Sequence, residues 1–300
     1  MKMQSCSRGL RELCRLLGHS PQAYYQYQKA LGKSVLEDDL LIAQVLYHRQ
    51  LQPKLGGRKL YAMMEPFMAA HQIIRGRDRL FDLLRENGLL NRKRRRSKPW
   101  TTDSNHWMKK YADLIKDIVL SRADELWVSD ITYIRLKNNT FAYLSLVTDA
   151  YSRKIVGYHM NKDLSVHGPV AALEMALKGR TGNAPLIHHS DRGSQYCCED
   201  YIGLLKSAAI DISMTQSGDP RDNAIAERVN GILKMELLEE VYPHITSAVQ
   251  ATVKAVEIYN RVRLHSSIDM MTPDQAHEHT GPIERRWKSW RDRPCRNQVS

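Results

Sequence analysis

The sequence predicts an α/β protein: a mixed β-sheet with helices packed on its faces, preceded by an all-α, basic, helix-turn-helix-like region. Three observations carry this. From about residue 125, runs rich in β-branched and aromatic residues alternate with helical spacing in the order βββαβαβα. The first hundred residues instead space their apolar side chains three and four apart. Charge divides the chain in the same way: residues 1–110 carry 22 Lys/Arg against 9 Asp/Glu, whereas residues 111–300 carry 23 against 24.

In the front region, Leu10, Leu13, Leu16 and Leu17 fall on one helical stripe. Gly18-His19-Ser20-Pro21 is a stop-and-restart signal before the aromatic Tyr24 to Tyr27 stretch, which together read as a short helical hairpin. A second helical group places Leu40, Leu41, Val45 and Leu46 together. After a turn at Pro53 to Gly57 come a segment from Arg58 to Ala70, bent by Pro66, and a last helix from Arg77 to Asn87 closed by Gly88. In that helix Leu80, Phe81 and Leu84 form the buried side, leaving Arg75, Arg77, Arg79 and Arg85 for phosphates or base edges. The run Arg92-Lys93-Arg94-Arg95-Arg96-Ser97-Lys98 repels itself and gains by neutralising phosphates. A helical bundle with a solvated basic face is the alternative. Pro99 to His106 reads as a linker anchored by Trp100 and Trp107.

Strands are expected at Trp127 to Leu136, Phe141 to Thr148 and Lys154 to Met160, forming an antiparallel meander. A helix (Ser165 to Lys178), a strand (Pro185 to Ser190), a helix (Glu199 to Ala209) and a strand (Ile212 to Gln216) follow. A long helix from Pro220 to about Glu240 comes next, then two helical stretches, Ile245 to Leu264 and one begun by Thr272-Pro273, and a basic tail from Arg285. The composition, 42% hydrophobic and 26% charged over 300 residues, excludes disorder as the main state. No apolar run approaches the ~20 residues of a membrane span, and a secretion signal is not evident, so the expectation is a cytoplasmic protein at the nucleoid, with no membrane. Cys6, Cys14, Cys197, Cys198 and Cys295 lack CxxC pairing and read as reduced thiols.

Three carboxylates stand out. Asp130 lies inside the first strand, where a charge sharing a face with Val128, Thr132 and Ile134 is costly unless paired or metal-bound; an edge Asp facing water is the bland alternative. Asp191 closes the fourth strand, at the carboxyl end where ligands bind in such sheets, or it simply forms the turn before Gly193. Glu227 lies on the long helix, which Asp219-Pro220 and Asp222 would open. There Asn223, Glu227, Asn230 and Lys234 share one face, while Ile225, Val229 and Ile232 share another; alone this is a solvated helix face. Asp149 is a fourth carboxylate, read as a turn residue, and His188, His189, Cys197 and Cys198 fit zinc poorly because Asp191 lies among them.

Sixty residues separate Asp130 from Asp191 and 35 separate Asp191 from Glu227, with Lys234 seven beyond. This spacing resembles the DD(35)E core of the retroviral-integrase superfamily, which has a ribonuclease-H-like fold. Trp-Val-Ser-Asp-Ile-Thr-Tyr-Ile (127–134), His-Ser-Asp-Arg-Gly-Ser-Gln-Tyr (189–196), Asp222-Asn223-Ala224, Tyr259-Asn260-Arg261, His265 and Thr272-Pro273 are similar to the downstream-frame protein (OrfB) of bacterial insertion-sequence-three family transposases. Leu40 to Lys98 resembles that family's helix-turn-helix segment, departing from it at Leu55-Gly56-Gly57-Arg58-Lys59-Leu60. The paired Cys/His spacing of the retroviral zinc module is absent.

The resemblance implies DNA strand cleavage and strand transfer without a covalent enzyme intermediate, with Asp130, Asp191 and Glu227 both catalytic and metal-holding, for two Mg²⁺ ions that Mn²⁺ can replace. It implies that Lys234 and Asn223 hold terminal DNA, with Arg192 and Arg221 either touching phosphates or serving as internal ion-pair partners. The partners implied are double-stranded DNA, both terminal inverted repeats and target, a second copy in a homodimer or higher oligomer, and an upstream-frame protein joined by frameshifting. A ribonuclease-H-like nuclease and a non-catalytic DNA-binding regulator are the rival readings. The expected divisions are a helical hairpin at 1–35, the DNA-binding domain at 36–98, a linker at 99–122, the catalytic core at 123–245, and C-terminal helices with a basic tail at 246–300.

Overall fold

The computed structural model describes residues 9–91, 107–116, 118–216 and 223–283. The chain forms two compact units, Met1–Gln50 with Gly56–Asn91, and Leu51–Leu55 with Arg92–Ser300. Among the described residues no helix is long and apolar enough to cross a membrane.

The first unit is all helical: α1 (Leu10–Leu16), α2 (Pro21–Leu51), α3 (Gly57–Ala70) and α4 (Arg77–Glu86). Gly18 stops α1 in a left-handed conformation (φ 71°), and the Ser20 hydroxyl, accepting from Ala23 N at 3.1 Å, restarts the chain ahead of Pro21. No proline follows until Pro53 and Gly32 is tolerated inside the helix, so α2 runs unbroken through the boundary expected at 35/36; the hairpin and the helical group after it share one helix. Pro66 lies inside α3 without ending it. On α4 the buried residues are Leu80, Leu83 and Leu84; Phe81 is only partly buried and lies over Gly57, where a Cβ would meet its ring at 2.8 Å.

The second unit is built on a five-stranded sheet of order β3-β2-β1-β4-β5, from β1 (Leu126–Arg135), β2 (Phe141–Asp149), β3 (Ile155–Asn161), β4 (Ile187–Ser190) and β5 (Asp211–Met214). β1, β2 and β3 are antiparallel, whereas β4 runs parallel to β1 and to β5. Asn138 and Asn139, both left-handed, make the tight β1–β2 turn, which Asn tolerates better than most residues. The helices are α5 (His167–Gly179), α6 (Ser194–Cys197), α7 (Glu199–Ser207), α8 (Ala224–Ile232), α9 (Ile245–Arg261) and α10 (Pro273–Glu278). This is the ribonuclease-H-like arrangement.

Two apolar clusters sandwich the sheet. One joins Trp127 and Val147 to Leu173 and Ala176 of α5 and to Tyr201 and Leu205 of α7. Gly157 lets α5 approach closely, since a Cβ there would meet the Ala172 carbonyl oxygen at 2.0 Å. The other cluster joins Ile134, Leu144 and Leu146 to Val229 of α8 and to Ala255, Val256 and Tyr259 of α9. Because α9 completes this core, the boundary expected at 245/246 marks no break in packing. The expected linker also belongs partly to the sheet unit: Ala112 O accepts from Met214 N, and Leu114 N donates to Ser213 Oγ, so this segment covers the edge of β5. Trp107 is 94% exposed and anchors nothing, because it precedes the stretch that docks. Trp100 and the tail from Arg285 lie outside the described residues.

The long helix expected from Pro220 to Glu240 is shorter. α8 gives way to a wide π-type turn over Leu233–Leu237 and ends at Leu238. The cap at Asp219, Pro220 and Asp222 lies outside the described residues.

Candidate active site

Asp130 is the fifth residue of β1, and its Oδ1 accepts from the backbone N–H of Ile131 at 2.9 Å. β4 pairs with β1 from Leu126↔Ile187 to Val128↔His189, so the same register carried two residues on places Asp191, just past the end of β4, beside Asp130. Asp191 Oδ1 accepts from Gly193 N at 2.9 Å, which fixes the turn. Turn residue and site residue are therefore one and the same. Burial and then the charge of Asp191 push the Asp130 carboxyl up to about 7; Glu227 adds to the push, and the hydrogen bonds from Asn230 and Ile131 oppose it. Burial likewise raises Asp191, against the Gly193 bond.

One face of α8 and the turn after it lies along β1. Asn223 Nδ2 donates to Ser129 O at 2.8 Å, Asn230 Nδ2 to Asp130 Oδ2 at 2.7 Å, and Lys234 Nζ to Thr132 Oγ1 at 3.2 Å. Val229 and Ile232 point into the core from the opposite face, as their spacing requires. Glu227 is exposed, in the first turn of α8. Asn223 and Lys234, expected to hold DNA, thus bond β1 in this structure. Desolvation lowers the Lys234 ammonium, with Asp130 pulling the other way. Asn230 was legible only as a member of the Glu227 face; its bond to Asp130 needs the α8–β1 docking, which spacing cannot supply.

This donor set suits a hard divalent cation: two half-buried carboxylates whose charges repel, a third carboxylate within electrostatic reach, and the buried Asn230 Oδ1, which has no hydrogen-bond partner among the described residues. Among the described residues no three carboxylate, imidazole or thiol groups close tightly enough to enclose a metal, Glu227 with the Asp pair included.

The other polar residues singled out in the sequence have structural partners. Asp149 accepts from Ser152 N, Ser152 Oγ and Asp124 N, as a turn residue does. His188 Nε2 lies 2.7 Å from Ser129 Oγ and 2.9 Å from Tyr201 OH, and His189 Nδ1 lies 2.9 Å from Ser213 Oγ. Arg192 donates to Gln216 Oε1 at 3.2 Å. In the helical unit Arg75 bonds Ser34, Glu37 and Asp38, and Arg79 bonds Asp38 at 2.6 Å and Glu86. Arg79 pins α4, and Arg75 the turn ahead of it, to α2 rather than standing free, because α2 supplies carboxylates that α4's own periodicity cannot reveal. Arg77 pairs with its neighbour Asp78, and Arg85 with Asp82. Arg92, Lys93, Arg94, Arg95, Arg96, Lys98 and Arg221 lie outside the described residues.

Comparison with known proteins agrees with this architecture. Residues 121–220 match one integrase core domain family and residues 208–273 a second of the same description. An uncharacterized 31 kDa protein of insertion element IS600 from Shigella sonnei is 32% identical over 266 residues, covering 87% of this chain and 96% of that protein. The transposase for insertion sequence element IS629, also from Shigella sonnei, is 33% identical over 54% of each chain. Transposase InsF for insertion sequence IS3A of Escherichia coli strain K12 is 35% identical over 54% of this chain and 57% of its own. The aligned stretch thus spans about half the length of these two transposases. With a relative matched almost end to end and the integrase core family covering the sheet and its helices, the chain belongs to the insertion-sequence-three family of transposases, in the retroviral-integrase superfamily.

Proposed function

We propose that this chain is a DDE transposase that cuts and joins DNA strands at the ends of an insertion sequence, with Asp130, Asp191 and Glu227 as its catalytic and metal-holding carboxylates. The observation that carries the reading is the seating of Asp130 and Asp191 side by side on parallel strands while α8 brings Glu227 alongside β1. Two carboxylates buried this closely are costly as neighbours, and cations offset that cost. When bound, cations of the Mg²⁺ or Mn²⁺ class supply Lewis-acid stabilisation of the attacking and leaving oxygens of a phosphodiester. The chain's own residues do the rest. Asn230 orients Asp130, Gly193 fixes Asp191, and Lys234, with Asn223 beside it, holds a phosphate of the terminal DNA once DNA displaces the β1 contact.

The front helical unit and the basic run at 92–98 bind the duplex through phosphates, Arg77 contributing from α4. Two element ends require two copies of the chain on the DNA, and an upstream-frame partner joined by frameshifting completes the working enzyme.

The test is a strand-cleavage and strand-joining assay in Mg²⁺ on duplexes copied from the element's inverted repeats, with Glu227→Gln beside wild type and with the upstream frame fused or absent. Joined products from wild type and none from Glu227→Gln are expected. Cleavage that never leads to joining would mean a nuclease; bound duplex with no chemistry, even in the fused form, would mean a regulator.

A further inference from the structure

At the open end of the β1–β2 hairpin, three aromatic rings gather on the sheet face that α5 covers farther along. Tyr133 lies directly across from Tyr143, and Arg135 across from Phe141, so all four side chains share that face. The rings meet edge to face: Tyr133 and Tyr143 have centroids 5.3 Å apart at 63°, Tyr133 and Phe141 6.3 Å apart at 83°. The first turn of α5 ends the helical cover one row short, since a Cβ on Gly168 would meet Ser145 Oγ at 3.0 Å, and Ser145 is the next residue on this face after Tyr143. The aromatic row therefore lies beyond the helix. Phe141 is 43% exposed, and both tyrosines are partly so.

We propose that Tyr133, Tyr143 and Phe141 form a stacking platform for an unpaired nucleobase of the DNA strand that enters the carboxylate site. Several observations point to a nucleobase rather than to another protein. Tyr133 and Asp130 lie three residues apart on β1 and so on opposite faces of the sheet, yet the phenol feels the charges of Asp130 and Asp191, after burial and Tyr143, so a strand crossing the edge of β1 would join site and platform. β4 stops pairing with β1 at Val128, so from Asp130 to Tyr133 the strand edge facing Asp191 is not taken up by β4. The hairpin from residue 131 to 144 carries Arg135 and Lys137 and no carboxylate, which complements a phosphate backbone. The patch offers π-systems and an exposed guanidinium, and any base has a face to stack.

The inference rests on the transposase reading, and its test separates the two. The full-length protein is titrated into a single-stranded oligonucleotide, and separately into an inverted-repeat duplex, each with 2-aminopurine near the 3′ end, while anisotropy and 2-aminopurine fluorescence are read without metal. Wild type should bind the single strand and quench the probe. Tyr133→Leu and Phe141→Leu should each weaken single-strand binding by about 5- to 150-fold, the range for removing one stacking ring, with duplex binding held within about twofold. Tyr133→Phe should restore the quench. Should Tyr133→Leu not fold, the exposed Phe141→Leu carries the test. Single-strand binding without quenching, or full quenching by both leucine variants, overturns the platform while leaving the transposase reading intact if the duplex still binds. Failure to bind either DNA overturns both.

Discussion

Asn230 sits one turn beyond Glu227 and donates to Asp130 Oδ2 at 2.7 Å, so it orients the carboxylate without needing to touch DNA. Groups that orient metal ligands are typically worth 10–100-fold when removed. Asn230→Ala is accordingly expected to slow strand joining by about 10- to 100-fold while leaving the far-UV spectrum unchanged; a rate within twofold of wild type would show that Asp130 needs no such hold. His188 is the buried counterpart with no part in the chemistry. Burial, and then the charge of His189, hold its imidazole down to about 3, where the unfolded chain would titrate near the ordinary histidine value of 6.5. Between those two values the unfolded state carries the extra proton, so stability rises with pH through the window. The contribution is complete above about 6.5 and is lost as pH falls towards 3, at ~1.4 kcal/mol per pH unit. Urea denaturation of His188→Phe should therefore show a gap between pH 7 and pH 4.5 that is smaller than wild type's by about 2 to 3 kcal/mol. An unchanged gap would place the acid sensitivity elsewhere.

α8 is held at its far end by a buried ion pair. Arg263, 1% exposed just past α9, donates through Nε to Glu236 Oε2 at 2.8 Å and through Nη2 to Glu236 Oε1 at 2.9 Å, and its Nη1 donates to His265 Nε2 at 2.8 Å. Glu236 lies in the π-type turn that ends α8, so the pair fastens the element carrying Glu227 and Lys234 to α9. Removing one member of such a pair strands the other charge: Arg263→Met should cost about 3 to 5 kcal/mol in urea unfolding, and adding Glu236→Leu should recover most of it. A single-variant loss under about 1 kcal/mol would mean that water reaches the pair freely. This network was not legible in the sequence, because its partners are 27 residues apart and meet only after α9 docks. The strands were legible: Trp127 to Ile134 and Phe141 to Thr148 announce themselves by β-branched and aromatic residues, and Val128, Thr132 and Ile134, which made Asp130 costly on their face, are all buried. The π-type turn was not, since Leu233 to Leu237 continues a good helical pattern and only packing widens it.

For the whole molecule, the excess charge is not confined to the helical unit, because the run from Arg92 to Lys98 falls in the unit that holds the carboxylates. Arg75 and Arg79 hold the helical unit together, so the sequence overstated how many of its cations are free for phosphates. The consequence is measurable in salt. Replacing Arg92, Lys93, Arg94, Arg95, Arg96 and Lys98 by glutamine should flatten the log–log salt dependence of duplex binding by about 0.9 for each phosphate no longer neutralised. Arg77→Gln should flatten it by at most the share of a single phosphate, and Arg75→Gln should lower the melting temperature instead. An Arg75 variant that changed the slope but not the melting temperature would reverse that assignment. The approach of Asp130 and Asp191 was legible, because strand order and register turn 60 intervening residues into neighbours; what spacing could not supply is the position of Glu227, which closes no metal-sized group with them among the described residues. The most direct measurement is the single-turnover rate of strand joining on inverted-repeat duplexes in Mg²⁺ for Asp130→Asn, Asp191→Asn, Glu227→Gln and their pairwise combinations. Carboxylates acting as one unit should each lower the rate by about 10³-fold or more when changed singly, with the double variants scarcely slower than the singles. A single variant that keeps its rate within tenfold of wild type, or penalties that multiply in the doubles, would contradict a shared metal-holding site.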